Sequence, residues 1–339
     1  MDNPLQDFSQ MMLPKIEEEL KIIVNLVKGS GCDELYNMLA YHLGWEIEGK
    51  GVGNPGKRIR PLILLMANLA AGGCWENVLP AAAAVELVHN FSLIHDDIQD
   101  NSPLRRGRPT VWKQWGIPQA INAGDTMFVL ANMAMLRLKN APSETTILRA
   151  SNLLLETCLK LTQGQFLDIS YEMIQHLELK DYWPMIAWKT ASLISTCAQL
   201  GPLIAGVDVE IYEKYRLFGY ETGLAFQIQD DILGIWGEAA RTGKSSESDL
   251  ISGKKSLPIL YGLKQNGTFA KRWFEGPISA DEVSEIAKQL EEEGALSYCQ
   301  EQTRILTKKA IHALDDAHPT LEAGKALVSL NESLLVRTF

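Results

Sequence analysis

Residues 79–101 read LPAAAAVELVHNFSLIHDDIQDN, and the character of the whole chain can be worked outward from this run. The residues from Val85 to Ile94 are mostly apolar, and Asp96, Asp97 and Asp100 follow directly. Nothing in the run alternates as a strand would. The pattern predicts a helix over 77–101, buried along most of its length and acidic at its end. On such a helix Asp96 and Asp100 lie one turn apart on one face, with Asp97 beside them. Three carboxylates this close repel one another, and a divalent cation removes the repulsion. Magnesium suits the cluster because it prefers oxygen donors, keeps several waters and bridges carboxylates to phosphates. Taken alone, such a cluster is more often a solvated helix end. Here it caps an apolar helix, and Arg105-Arg106-Gly107-Arg108 follows within a few residues. Arginine matches phosphate oxygens in a bidentate way, so metal-held diphosphate flanked by arginine is a coherent assembly.

The rest of the chain has the same helical period. Helices are expected at 8–28, 31–44, 58–72, 118–140, 144–175, 181–205, 209–236, 256–265, 280–293, 295–316 and 320–334, beside the one at 77–101. Breaks fall at 49–55, 102–109, 237–256 and 267–277, and Ser279 followed by Glu282 is a capping-box signal. No stretch rich in Pro, Gly or Ser separates two parts, so residues 1–339 are expected to form one all-α domain. An apolar share of 46% in 339 residues is ample for a large core. The formal charge of −10 argues against a nucleic-acid or anionic-membrane binder, which needs a basic face. Cys32, Cys74, Cys158, Cys197 and Cys299 are scattered and odd in number, which fits a reducing cytoplasm and offers no zinc framework. The start of the chain lacks a secretory pattern, and the apolar stretch 62–75 is too short to span a bilayer.

In an acidic protein, local clusters of cations stand out. Gly56-Lys57-Arg58-Ile59-Arg60-Pro61 sits at a predicted helix start, where backbone N–H groups favour an anion. A second acidic pair, Asp230-Asp231, ends another apolar helix, with Gln227 one turn before it. Lys244, Asp249, Lys254 and Lys255 follow. Residues 91–98 and 226–232 echo each other in this respect.

Together these residues resemble the trans-isoprenyl diphosphate synthase family, most nearly in the pattern of geranylgeranyl diphosphate synthases. The likeness rests on Gly56-Lys57-Arg58-x-Arg60-Pro61, Glu86-Leu-Val-His89, Asp96-Asp97-x-x-Asp100, Arg105-Arg106-Gly107, Gly164-Gln165-x-x-Asp168, Lys189-Thr190, Phe226-Gln227-x-x-Asp230-Asp231 and Gly253-Lys254-Lys255-Ser256, all in family order. The resemblance implies a single helical bundle of the isoprenoid synthase type, with a central apolar pocket and a homodimeric assembly. It implies three magnesium ions on an allylic diphosphate, held by Asp96, Asp97, Asp100, Gln165, Asp230 and Asp231. Arg105, Lys189, Lys244 and Lys254 would complete that cradle. Lys57, Arg60, His89 and Arg106 would bind isopentenyl diphosphate without metal. Thr190, Gln227 and the carbonyl of Lys189 are similar to the family's cation-stabilising groups.

The reaction implied is head-to-tail condensation. The allylic carbon–oxygen bond breaks, the isopentenyl double bond attacks the cation, and a proton leaves to the released diphosphate. The chain departs from the family at Gly234, where the second motif usually has a third acidic residue; Glu238 is a candidate substitute. Phe91 and Ser92, five and four residues before Asp96, resemble the twenty-carbon class, with Val88 one turn deeper. Farnesyl and longer-chain synthases are alternatives. A class I terpene cyclase shares the acidic helices but has no use for a second diphosphate site, and a regulatory subunit would be free to lose its first acidic motif.

Overall fold

The computed structural model describes residues 3–29, 31–49, 51–139, 141–237 and 248–335. Lys244 and Glu238 therefore lie outside the described residues. Among the described residues the regular structure is helical apart from one hairpin and a lone bridge between Ile47 and Gly51. Its elements are α1 (Pro4–Val24), α2 (Asp33–His42), α3 (Ile59–Ala70), α4 (Leu79–Gln99), β1 (Leu104–Arg105), β2 (Arg108–Pro109), α5 (Val111–Trp115), α6 (Ile117–Met135), α7 (Glu144–Glu172), α8 (Leu179–Ile186), α9 (Ser192–Ala205) and α10 (Val209–Trp236). There follow α11 (Asp249–Ser252), α12 (Leu257–Gln265), α13 (Thr268–Phe274), α14 (Val283–Glu292), α15 (Ala295–Asp315) and α16 (Leu321–Leu335).

The contacts divide the chain into two compact units. The first comprises Met1–Leu155, Thr196–Glu213 and His318–Leu327. Helix α1 begins with Asn3 accepting from the Gln6 N–H and with Pro4 in the first turn, where its missing donor costs nothing. It turns Met12, Ile16, Leu20 and Ile23 inward at spacings of three and four. Helix α4 is buried on nearly every side from Ala81 to Val88 and packs most extensively on α6. Among the described residues, one segment, Trp75–Gln99, is long and apolar enough to cross a membrane by length and composition, which the sequence reading did not expect. Of its most apolar window, 61% is buried inside the protein.

The second unit comprises Glu156–Ser195, Lys214–Ala317 and Val328–Phe339. Its core draws Tyr182 and Ile186 from α8, Ile228, Ile232 and Ile235 from α10, Leu257 and Leu260 from α12, and Ile286 and Leu290 from α14. Between α8 and α9 the backbone widens into a π-helical turn, Ala187–Ala191, which breaks the continuous helix expected over 181–205. Such turns recur at functional sites because they re-aim side chains.

Among the described residues the structure adds three elements where breaks were expected, one of them the short helix α11 within 237–256. Residues 102–109 form a tight antiparallel hairpin, pairing Leu104 with Pro109 and Arg105 with Arg108. Its central residues Arg106 and Gly107 have φ of 52° and 76°, the left-handed pair that matches the twist of a two-residue hairpin. Within 267–277 the chain forms α13. Helix α14 begins at Val283 rather than 280, because Ser279 and Glu282 close a separate turn, with Ser279 N–H and Oγ donating to Glu282 Oε2 at 3.0 and 2.6 Å.

Candidate active site

The site residues of the first unit gather where α3, α4 and the hairpin meet. Asp96 is partly buried and Asp100 exposed, whereas Asp97 is only 1% exposed. The Arg105 guanidinium grips Asp97, with Nε 2.8 and 3.0 Å from its two carboxylate oxygens and Nη2 2.8 Å from Oδ1. Burial raises the Asp97 pKa, and Arg105 works against that shift. Arg105 thus orients Asp97. Asp97, expected among the metal ligands, is held by protein.

Arg60 on α3 places Nη1 3.2 Å from His89 Nε2 on α4. Burial, then the charges of Arg60, Arg106 and Arg105, hold the His89 pKa well below its usual value. His89 is therefore neutral at pH 7, and its Nε2 accepts from Arg60. Arg106 donates to the Asn54 carbonyl at 3.1 Å, and Lys57 stays exposed. Arg58, quoted only as part of a motif, is structural. It is 4% exposed and binds Glu17 at 2.6 Å, Glu86 at 2.8 Å and the Leu43 carbonyl at 3.0 Å. Its left-handed φ of 47° starts α3 and turns Arg58 inward between its exposed neighbour Lys57 and Arg60. A cavity of about 30 Å3 behind the hairpin is lined by His42, Asn54, Asp97, Arg105, Arg106 and Arg108.

The site residues of the second unit surround another small cavity, of about 20 Å3, lined by Asp168, Tyr182, Lys189, Gln227, Asp231 and Lys254 among others. The π-helical turn supplies Lys189, which is ion-paired with Asp168 of α7, and Thr190, whose hydroxyl donates to Gln227 Oε1 at 2.6 Å. Glycine on both neighbouring helices lets this turn sit close. A Cβ at Gly164 would lie 2.3 Å from the Lys189 nitrogen, and one at Gly223 would lie 2.6 Å from the Ala191 Cα. Asp231 is 3% exposed, and three protein donors occupy its carboxylate: Tyr182 Oη at 2.7 Å, the Leu257 N–H at 3.0 Å and Gln227 Nε2 at 2.9 Å. Asp230, one residue earlier, is only partly buried. Lys255 leaves the site altogether and caps the end of α7, donating to the Tyr171 and Glu172 carbonyls at 2.7 and 2.9 Å.

The departure at Gly234 has a local cause. A Cβ there would meet the Asp249 carboxylate at 2.9 Å. Desolvation raises the Asp249 pKa to about 6, with Lys254 opposing the shift.

The donor chemistry fits magnesium. Asp96, Asp100 and Asp230 offer hard oxygen atoms with some exposure. Among the described residues no three His, Cys, Asp or Glu side chains form a metal cage unaided. Magnesium typically takes one or two carboxylates together with water and substrate phosphate, so such a cage is not required.

A family model for polyprenyl synthetase matches residues 48–291. The chain belongs to this family. A (2E,6E)-farnesyl diphosphate synthase of Mycobacterium tuberculosis is 39% identical over 264 residues, 75% of this chain and 72% of that protein. A geranylgeranyl diphosphate synthase of the same organism is 34% identical over 335 residues, 96% of this chain and 95% of the relative. A solved geranylgeranyl pyrophosphate synthase from Corynebacterium glutamicum, complexed with isoprenyl diphosphate and magnesium, superimposes with a TM-score of 0.83 at 26% identity, covering 98% of this chain and 99% of that one.

In this polyprenyl synthetase, sequence reasoning did not single out Asp168, Tyr182 or Asp249 as site residues. Asp168 was visible as the last position of Gly164-Gln165-x-x-Asp168. Tyr182 carried no signal, since a tyrosine on an apolar helix reads as core. Of the residues expected to set product length, Phe91 is partly buried, with its ring edge-to-face with Phe128 of α6 at 5.3 Å. The Ser92 hydroxyl donates to the His89 carbonyl at 2.8 Å, and Val88 is fully buried.

Proposed function

We propose that the chain condenses isopentenyl diphosphate with an allylic diphosphate to give a linear trans-polyprenyl diphosphate, with the twenty-carbon product dominant. The observation that carries this reading is on α4. His89 and Asp96 are seven residues apart, two turns and about 10 Å along one face. One helix therefore carries a neutral His89, approached by the cations Arg60 of α3 and Arg106 of the hairpin, and a carboxylate group suited to metal. A transferase needs both, because it handles two diphosphates. A cyclase needs only the second.

Asp96, Asp100 and Asp230, with Gln165, are the proposed magnesium ligands. When bound, the three ions would neutralise charge on the departing diphosphate. Lys189, Lys244 and Lys254 would add cationic charge to the same leaving group, and Lys57, Arg60, His89 and Arg106 would seat isopentenyl diphosphate. Thr190 and Gln227, with the Lys189 carbonyl, would turn oxygen dipoles to the allylic cation. The released diphosphate is the base that takes the final proton.

The family model runs across residues of both units, which supports one catalytic domain. The reading extends to a cytoplasmic homodimer. Helix α6 exposes Ile117, Ile121, Val129, Met133 and Leu136, an apolar stripe that a second copy would cover.

Incubation with magnesium, isopentenyl diphosphate and each allylic diphosphate in turn, followed by mass analysis of the dephosphorylated products, tests the proposal. Linear polyprenols are expected. Hydrocarbons from an allylic substrate alone would identify a cyclase, and magnesium-dependent binding without turnover would identify a regulatory subunit.

A further inference from the structure

We infer that Tyr182 and Asp231 are positioning residues, which fix the polarity of a hydrogen-bonded chain ending at Thr190 so that the Thr190 oxygen offers only lone pairs to the allylic cation. The inference rests on the transferase reading above and adds to it two residues with a defined task.

The argument is an account of donors and acceptors. Asp231 Oδ2 receives the Tyr182 hydroxyl at 2.7 Å and the Leu257 N–H at 3.0 Å, and its Oδ1 receives Gln227 Nε2 at 2.9 Å. The Leu257 N–H and the Gln227 amide nitrogen can only donate, and the Tyr182 hydroxyl donates to the same carboxylate. The Gln227 amide nitrogen is thereby committed to Asp231, and its Oε1 must face the other way. There it meets the Thr190 hydroxyl at 2.6 Å and can only accept. The Thr190 proton is used in that bond, which leaves the oxygen with lone pairs alone. A threonine hydroxyl free to rotate would turn either end of its dipole outward. Here the choice is made two residues away.

Burial strengthens the constraint. Tyr182 is 1% exposed and Asp231 3%, so bulk solvent competes little for their bonds, and hydrogen bonds are stronger at low dielectric. The four members come from α8, the π-helical turn and α10, and Leu257 comes from the start of α12. Tyr182, Gln227 and Asp231 line the same cavity as Lys189, Lys254 and Asp168. The chain therefore runs along the cavity lined by Lys189 and Lys254, and Thr190 at its end follows Lys189 directly. Asp231 serves the reaction through its neighbours.

The test compares wild type, Tyr182→Phe, Asp231→Asn, the double variant, and Tyr182→Phe placed on Thr190→Val. Measured for each are kcat, KM for both diphosphates, the magnesium half-saturation, and calorimetric binding of magnesium with a non-ionising allylic diphosphate analogue. Each single change is expected to lower kcat about tenfold or more, as misorientation of a reacting group does. Analogue binding and magnesium half-saturation should stay at wild-type values. The double variant should be no worse than the poorer single one, and Tyr182→Phe should cost nothing further once the Thr190 oxygen is gone. The inference is overturned if Asp231→Asn weakens magnesium while Tyr182→Phe is silent, because Asp231 is then a metal ligand. It is also overturned if the losses simply multiply, or if Tyr182→Phe lowers the melting temperature with kcat intact. Failure of wild type to condense the two diphosphates removes the transferase reading, and this inference with it, before any variant is compared.

Discussion

At the scale of single residues, both acidic pairs divide their labour in the same way. The first carboxylate, Asp96 or Asp230, keeps some exposure, and the second, Asp97 or Asp231, is buried and bonded to protein donors. Adjacent positions on a helix are turned by about 100° from each other, so only one of a pair can face the substrate. That is why the sequence could reveal the acidic pairs but not their roles; the partners Tyr182 and Leu257 belong to no motif, and Arg105 belongs to one that reads as phosphate-binding. Arg58 makes a related point, because a cation inside a phosphate-binding motif is a buried bridge between Glu17 and Glu86. Arg58→Met should destabilise the fold by about 3–5 kcal/mol in urea, since it strands a buried carboxylate. A loss comparable to that of an exposed arginine would refute the structural role. Asp249 adds a pH dependence. Its folded pKa of about 6 lies above the ordinary carboxylate value of about 3.9, so in that interval the folded chain holds a proton that the unfolded chain has released. Its contribution to stability is therefore present in acid and is lost as pH rises from about 4 to about 6. In metal-free buffer Asp249→Asn should remove this slope, and equal slopes in the two proteins would show that Asp249 is ionised throughout.

At the scale of elements, the long helices and even the nine-residue α12 were legible, whereas α5, α11 and α13 were not. Helix α10 spans the expected 209–236, because 28 residues carry many turns of a 3.6-residue period. Helix α13 has seven residues, and the strands of the hairpin two each, too few to show a period. The π-helical turn is a backbone event imposed by packing against Gly164 and Gly223, and no residue pattern within 187–191 announces it. The hairpin carries its own prediction. A Cβ at Gly107 would meet nothing within 4 Å, so the cost of Gly107→Ala is backbone strain alone, about 1–2 kcal/mol. Arg106 shares the turn, so KM for isopentenyl diphosphate should rise while KM for the allylic substrate holds. If both hold, Arg106 does not serve the isopentenyl site. Helices α4 and α6 carry another prediction. The Phe91 ring rests edge-to-face on Phe128, a contact that braces it against a growing tail. Phe91→Ala and Phe128→Ala should both move the product distribution to longer chains. Unchanged products in both would remove Phe91 from the floor of the pocket.

At the scale of the whole molecule, the formal charge of −10 concealed the most useful signal, which was where the cations are concentrated. Composition excluded a general polyanion binder and left small anions, and the motifs then named the anion. It could not distinguish apolar residues that fill the core from those that meet another chain. Surface exposure makes that distinction. On α6, Val129 is 54% exposed and Leu136 75%, while Met127, Ala131 and Ala134 of the same helix are fully buried. Two apolar faces on one helix call for two partners, and the fold supplies only one. Leu148 and Leu155 of α7, at 70% and 46% exposure, extend the supply of exposed apolar surface. Such surface is costly to leave in water, and covering it with a second copy removes that cost for both chains at once. Met133→Glu combined with Leu136→Glu should therefore shift the protein from two chains to one in light scattering. The buried face of α6 is untouched by these changes, so the helical circular dichroism should be retained. A wild-type protein that scatters as a single chain, or a variant that remains a dimer, would place the contact elsewhere and leave the α6 stripe unexplained by self-association.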